Sequence, residues 1–148
     1  MTQAAVSIAD LNLKTKCEKG FEFEYIDEHE NQTGIFLTVI GSASEKIRKA
    51  SYAAHDRDAR KAAMDKKRGR DTEVKPLEEW AEENMALTAM RVIAWRGISE
   101  PCTPENVVAL LQSNDILLKQ VIEKSDNVAN FTKSKSNSSS SSQDTNSN

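Results

Sequence analysis

The C-terminal third of the chain, residues 91–131, reads RVIAWRGISEPCTPENVVALLQSNDILLKQVIEKSDNVANF. Apolar residues recur in it at helical spacing, with breaks at Gly97 and at Ser113-Asn114. Thr103-Pro104 is typical of a helix start, because threonine caps free backbone N–H groups and proline has none to leave unpaired. The pattern predicts one helix over 103–112 and another, opened by Asp115, over 115–130.

Beyond this stretch, the C-terminal end of the chain is polar, and the N-terminal segment mixes polar and apolar residues. From Lys133 to Asn148 there is no hydrophobic residue, and eight of the last fifteen residues are serine. Such a segment buries too little apolar surface to offset the entropy of ordering. We therefore expect a disordered Ser/Asn-rich tail over 132–148, a loosely ordered segment over 1–18, and a single domain over 19–131.

The N-terminal half contains two strand patterns. FEFEYI (residues 21–26) alternates apolar and polar side chains, which puts Phe21, Phe23 and Tyr25 on one face. IFLTVI (residues 35–40) is apolar and rich in β-branched residues. A polar loop joins them, so the sequence predicts a β-hairpin over 20–41. A two-stranded hairpin is marginal in water and must pack on the helices or on another chain.

Two longer helices are predicted between the hairpin and the C-terminal third. The first covers about 44–67 with Ser44 as its N-cap, and most of its apolar residues are alanine, so it should form by propensity yet project from the core. The second covers 77–95 and is apolar on two sides, which is typical of a central helix. The predicted fold class is α+β and mainly α-helical: an N-terminal β-hairpin packed on a small bundle of about four helices.

Charge is segregated along the chain although the formal net charge is only −3. Residues 44–70 hold ten Lys or Arg against four Asp or Glu, and residues 71–83 hold six Asp or Glu against one Lys. The two blocks could neutralise each other if the helices pack antiparallel, or could serve two partners. No run reaches about 18 apolar residues, and the N-terminus does not resemble a signal peptide, so no membrane association is expected.

The sequence predicts no catalytic site, metal site or cofactor. His29 and His55 lie in polar surroundings without a positioned partner. Cys17 and Cys102 lie far apart without metal-ligand spacing, and we interpret them as structural thiols in a reducing compartment. The five glycines are scattered and form no phosphate-binding loop.

Candidate partner-binding residues come from aromatic, methionine and basic positions. Trp80 and Trp95 are fifteen residues apart, close to four helical turns, so one helical face would carry both. They fit either a core stripe or a partner anchor. A basic block at the end of the first long helix could face a partner; nucleic acid is disfavoured, because only Tyr52 is aromatic within 42–75. The candidate residues are Trp80, Met85, Met90, Trp95, Lys66, Lys67, Arg68 and Arg70.

An ordered set of short motifs resembles one protein family. The set comprises AWRGI (94–98), TPENVVALL (103–111), Asn114-Asp115 and DNVANF (126–131). It resembles the tail assembly chaperones of long-tailed, siphovirus-type bacteriophages. TGIFLTVIGSASEKIR (33–48) is also similar to the N-termini of that family. The resemblance is good over 77–131, weaker over 20–50 and absent elsewhere.

The resemblance implies a non-enzymatic protein of the host cell cytoplasm that is absent from the mature virion. Its expected partners are the tape measure protein, which it would keep soluble, and the tail tube protein, whose subunits it would help to recruit; self-association is left open. Many members also have a longer form made by ribosomal frameshifting. Ala129-Asn130-Phe131 can be encoded as GCA-AAT-TTT, which contains a slippery heptamer. The alternatives are a nucleic-acid-binding regulator that uses residues 44–70, and a small structural or connector protein retained in the virion.

Overall fold

The computed structural model describes residues 5–132. The tail predicted for 132–148 lies outside this range except for Thr132. The fold is α+β and mainly helical, which confirms the predicted class. Its elements are α1 (Leu13–Cys17), β1 (Phe21–Ile26), β2 (Gln32–Val39), α2 (Glu45–Lys67), α3 (Leu77–Ala89), β3 (Val92–Arg96), α4 (Pro104–Ser113), α5 (Asp115–Asp126) and α6 (Ala129–Thr132), with a 3-10 turn at Ala9–Leu11 before them.

The strands form one antiparallel sheet in the order β1-β2-β3. The hairpin of β1 and β2 forms as predicted, but the helix predicted over 77–95 is wrong beyond Ala89, because residues 92–96 are the third strand. Leu37 of β2 pairs with Trp95, and the backbone N–H of Ile40 donates to the Arg91 carbonyl oxygen at 2.8 Å. Residues 92–96 include strand-forming Val, Ile and Trp, and they pair with the edge of β2 that β1 leaves open. This tertiary pairing overrides the helical periodicity of the segment.

The core lies between one face of the sheet and helices α4 and α5. Its centre is formed by apolar side chains that are almost fully buried: Phe23, Leu37, Val39, Val92, Val107, Leu111, Leu117 and Val121. The predicted N-cap of α4 is confirmed, since the Thr103 hydroxyl accepts from the Asn106 N–H at 3.2 Å. Asn114 caps α5 by accepting from Leu117 N–H at 3.0 Å and also donates to the Tyr25 hydroxyl at 3.0 Å.

The two ends of the described chain meet at the end of β2. Cys17 of α1 is 1% exposed and packs in the core, so the prediction of a loosely ordered segment over 1–18 is wrong for residues 13–17. The single helix predicted over 115–130 is also wrong at its end. Asn127 interrupts it, because its side-chain oxygen accepts from the Ala129 N–H at 3.1 Å, and the short α6 then buries Phe131.

Helices α2 and α3, with the connector 68–76, form what we call the helical arm. The start of α2 lies beside the end of α3, while Asp58 and Glu83 are joined through Lys75, so the two helices run in opposite directions. Only Ile47 of α2 is fully buried, as expected for a projecting helix. The central position predicted for α3 is wrong: only Ala89 is fully buried, and Leu77 is 83% exposed.

Ser44 precedes α2, as predicted, but its hydroxyl does not cap the helix. The side chain is fully buried, and its oxygen has no hydrogen-bond partner among residues 5–132. Instead the Ser44 backbone donates to the Gly41 carbonyl oxygen at 2.9 Å. The turn that follows β2 therefore determines where α2 begins.

Candidate protein-docking groove

An open, largely apolar groove runs along the inner side of the helical arm and ends against α4. We call it the arm groove. It consists of a depression of about 440 Å³ between α3, β3 and α4 and another of about 240 Å³ between α2 and α3. Ala86 and Met90 line both depressions, so the two adjoin each other along α3.

The α2 wall of the arm groove is made by one face of that helix. Lys46, Ala50, Ala53 and Arg57 follow each other at spacings of four, three and four residues, which places them on one face. Between the two cations this wall is lined by alanine. Small side chains facing α3 leave space between the two helices, and this is why a groove exists there.

The α3 wall carries longer side chains. Glu83, Leu87 and Met90 line the groove at spacings of four and three residues. Met90 is half-buried, and its unbranched thioether can adapt to different partner shapes. Trp80 lies three residues before Glu83 and therefore continues the same stripe toward the end of the arm, where its side chain is 56% exposed.

Lys75 links the α2 wall of the arm groove to the α3 wall. Its ammonium group donates to Asp58 Oδ1 of α2 at 2.8 Å and to Glu83 Oε2 of α3 at 2.6 Å, and its side chain is only 20% exposed. The hydrogen bond from Lys75 lowers the pKa of Asp58. The hydrogen bonds to Asp58 and then Glu83 raise the pKa of Lys75. A residue of the connector thus ties both helices of the arm together.

The positive charge of the arm groove comes from α2 alone, because the ion triad itself combines one cation, Lys75, with the two carboxylates of Asp58 and Glu83. Among residues 5–132, Glu83 is the only carboxylate that lines the groove, and it is paired with Lys75. Lys46 and Arg57 are exposed, and within residues 5–132 neither lies within 4.0 Å of a carboxylate oxygen. The groove therefore offers an apolar floor and two cations along its α2 edge.

Cys102 lines the end of the groove beside α4. It is a free thiol, half-buried, and burial raises its pKa. Cys17 is also a free thiol but is buried in the core and does not line the groove, and burial raises its pKa as well. Cys102 can therefore report on the groove while Cys17 cannot.

Of the eight residues predicted from the sequence to contact partners, Met90 alone lines the arm groove. Trp80 lies beyond the groove on the same stripe of α3. Met85 is half-buried and packs against the core cluster, so it is structural rather than available to a partner. Lys66, Lys67, Arg68 and Arg70 are exposed at the far end of the arm, without a carboxylate in ion-pair range in the described part of the chain.

The prediction that Trp80 and Trp95 share one helical face is wrong, since they lie on different elements. Trp95 belongs to β3 and packs against the core cluster. Its indole N–H donates to the Glu100 carbonyl oxygen at 2.8 Å, which fastens the loop before α4. Trp95 therefore has a structural role in the fold, and Trp80 is the exposed tryptophan.

Sequence reasoning missed the groove lining on α2. The signal was present, because the alanine-rich face of 44–67 buries little and carries Lys46 and Arg57 in line with Ala50 and Ala53. Periodicity identified that face but could not identify the helix opposite it. Cys102 and Val108 reach the same groove only because β3 turns the chain back toward α4.

None of the helices in residues 5–132 combines the length and apolar character needed to cross a bilayer. Within the same range, no group of three or more His, Cys, Asp and Glu side chains is placed to hold a metal ion. No protein-family model matches the chain, and comparison with curated proteins and with solved structures gives no match either.

Proposed function

We propose that this protein is a tail assembly chaperone of a long-tailed bacteriophage, which binds the tape measure protein and keeps it soluble until the tail tube forms around it. The observation that carries the proposal is the arm groove, which is open and largely apolar and lies next to the exposed Trp80 and Leu77. The motif resemblance over residues 77–131 supports the choice of partner.

The physical requirements of such a chaperone fit these features. A long helical tape measure protein exposes apolar stripes that would aggregate unless they are covered. Laying an apolar helical face into a groove is a common way to cover it. Methionine at position 90 allows one groove to accept different side chains along a repetitive partner. A shallow, open groove also permits release when tube subunits arrive.

The proposal extends to the second partner and to location. The cations Lys66, Lys67, Arg68 and Arg70 lie at the end of the arm away from the buried Ile47. They can contact tail tube subunits while the groove holds the tape measure protein. The protein then acts in the host cell cytoplasm and is absent from the finished virion.

Co-expression with the tape measure protein encoded near its gene tests the proposal. The tape measure protein should be largely insoluble alone, and soluble and co-purified when this chain is present. Mass spectrometry of purified virions should not detect this chain. A tape measure protein that neither associates nor gains solubility would refute the proposal, and detection in stoichiometric amounts in virions would favour a connector protein instead.

The exposed basic residues at the end of the arm favour nucleic-acid binding as the second candidate function. That function predicts binding to DNA whose affinity falls steeply with salt, because phosphate contacts release counterions. A fluorescence titration with a labelled duplex at about 50 and 200 mM salt measures this slope, and about 10³-fold weaker binding at the higher salt is typical of several phosphate contacts.

A further inference from the structure

The shape of the arm groove is suited to a third helix. Two helices that run in opposite directions form its walls, and the alanines of α2 keep the floor low. Helices pack with axes about 8–10 Å apart when the contacting side chains allow it. A partner helix can therefore lie lengthwise between α2 and α3, with its apolar stripe against Ala53, Ala86 and Met90.

The charges along the groove select among such helices. Lys46 and Arg57 are eleven residues apart, which is close to three turns, so they project from the same face of α2. The distance between them along the helix axis is about 16 Å. Glu83 on the opposite wall is paired with Lys75, whereas Lys46 and Arg57 have no carboxylate partner within 4.0 Å in residues 5–132 and remain available to a partner.

We propose that the arm groove binds one amphipathic helix whose apolar stripe is flanked by two carboxylates about eleven residues apart, which pair with Lys46 and Arg57. Because the partner is also an α-helix, its rise per residue equals that of α2, and the same eleven-residue spacing brings both carboxylates opposite both cations. The choice of this groove as a docking site rests on the proposed function, and the charge pattern of the occupant goes beyond it.

Three synthetic helical peptides of about 18 residues, roughly five turns, test the inference. They share one leucine stripe and differ only at two flanking positions eleven residues apart, which carry Glu, Gln or Lys. Affinity is measured by fluorescence anisotropy with the full chain. Two exposed ion pairs should make the Glu peptide bind about tenfold more tightly than the Gln peptide, and the Lys peptide should bind most weakly.

Charge reversal tests whether these two cations cause the preference. In the double variant Lys46→Glu/Arg57→Glu the order should invert, so that the Lys peptide binds best; this gain also shows that the variant is folded. The matched control, Lys14→Glu/Lys19→Glu, changes the net charge equally at exposed positions outside the arm groove and should keep the original order.

Cys102 provides a second readout of position. A bound peptide should slow alkylation of the Cys102 thiol, which lines the groove. Equal binding of the three peptides, an order that survives Lys46→Glu/Arg57→Glu, or binding without protection of Cys102 would each overturn the inference. The assay contains no tape measure protein, so failed co-expression with intact peptide selection would refute the proposed function alone, and the reverse result would refute this inference alone.

Discussion

Gly41 and Cys17 are in such close contact that only a glycine fits at position 41. The Gly41 backbone N–H donates to the Cys17 carbonyl oxygen at 2.8 Å, and a Cβ placed on Gly41 would lie 2.5 Å from the Cys17 sulfur. On the other side it would be 3.2 Å from the Phe131 ring. This contact joins α1, the end of β2 and α6, and so closes the core at both ends of the described chain.

Gly41→Ala should therefore destabilise the protein by about 2–3 kcal/mol, because overpacking a closed site forces side chains and backbone apart. Urea unfolding followed by circular dichroism measures the change in the free energy of unfolding. Gly34→Ala serves as the control: its Cβ would meet nothing within 4 Å, and only the positive φ of 75° opposes it. The structural account fails if the two substitutions cost the same.

The arm groove can be filled without disturbing the core. Ala53 lines the groove and is exposed, so Ala53→Trp should fold normally yet abolish the solubilisation of the tape measure protein. Ala59→Trp is the matched control, because Ala59 is exposed nine residues after Ala50 and so faces away from the groove. The soluble fraction after co-expression is the measurement, and equal loss in both variants would argue against the groove.

The two tryptophans should respond differently to removal. Trp95→Ala should lower the free energy of unfolding by about 2–3 kcal/mol, since it removes a half-buried ring that packs against the core cluster and the hydrogen bond to Glu100. Trp80→Ala should change it by less than about 0.5 kcal/mol, because the side chain is exposed. Chemical unfolding of the two variants measures both changes. A large loss of unfolding free energy in Trp80→Ala would contradict the exposed position of Trp80.

Loss of the Lys75 ion triad should loosen the helical arm. Lys75→Met leaves Asp58 and Glu83 without their shared cation, so amide hydrogens of α2 should exchange faster with solvent. Lys49→Met is the control, because Lys49 pairs with Glu45 on the surface of α2 and does not join α2 to α3. Hydrogen exchange with mass spectrometry over residues 50–65 measures the effect, and unchanged exchange in Lys75→Met would refute the role of this residue.

The pH dependence of the arm follows from the same triad. The lowered pKa of Asp58 means that its stabilisation is present above its ordinary value of 3.8 and is lost as pH falls through the lower folded-state pKa. The raised pKa of Lys75 means that its stabilisation is present below 10.5 and is lost as pH rises through the higher folded-state pKa. The exchange protection of α2 attributable to the triad should therefore be constant from about pH 5 to 9. In Lys75→Met the acid-side loss should be much smaller.

Thiol chemistry should separate the two cysteines. In the folded protein an alkylating reagent should modify Cys102 and leave Cys17 unmodified, because Cys17 is buried in the core. The raised pKa of Cys102 makes the thiolate scarce below 9.0, so the alkylation rate should continue to increase above that pH. Peptide mapping after timed labelling gives both rates, and faster modification of Cys17 would contradict the fold.

The sequence by itself determined the elements whose signals are local. The alternation of Phe21, Phe23 and Tyr25 predicts β1 and its buried face, and the Thr103-Pro104 start predicts α4. The alanine-rich pattern of residues 44–67 predicts both α2 and its projection from the core. These signals are reliable because a cap or a periodic face depends on residues only a few positions apart.

Only the tertiary structure decided the rest. Residues 92–96 have helical spacing as well as strand-forming side chains, and the free edge of β2 selects the strand. The candidate site depends on that choice, because β3 brings Cys102 and α4 to the end of the groove. The pairing of Lys75 with Asp58 and Glu83 likewise joins residues seventeen and eight positions apart. Such relationships depend on which surfaces meet in three dimensions, and no local pattern in the chain encodes them.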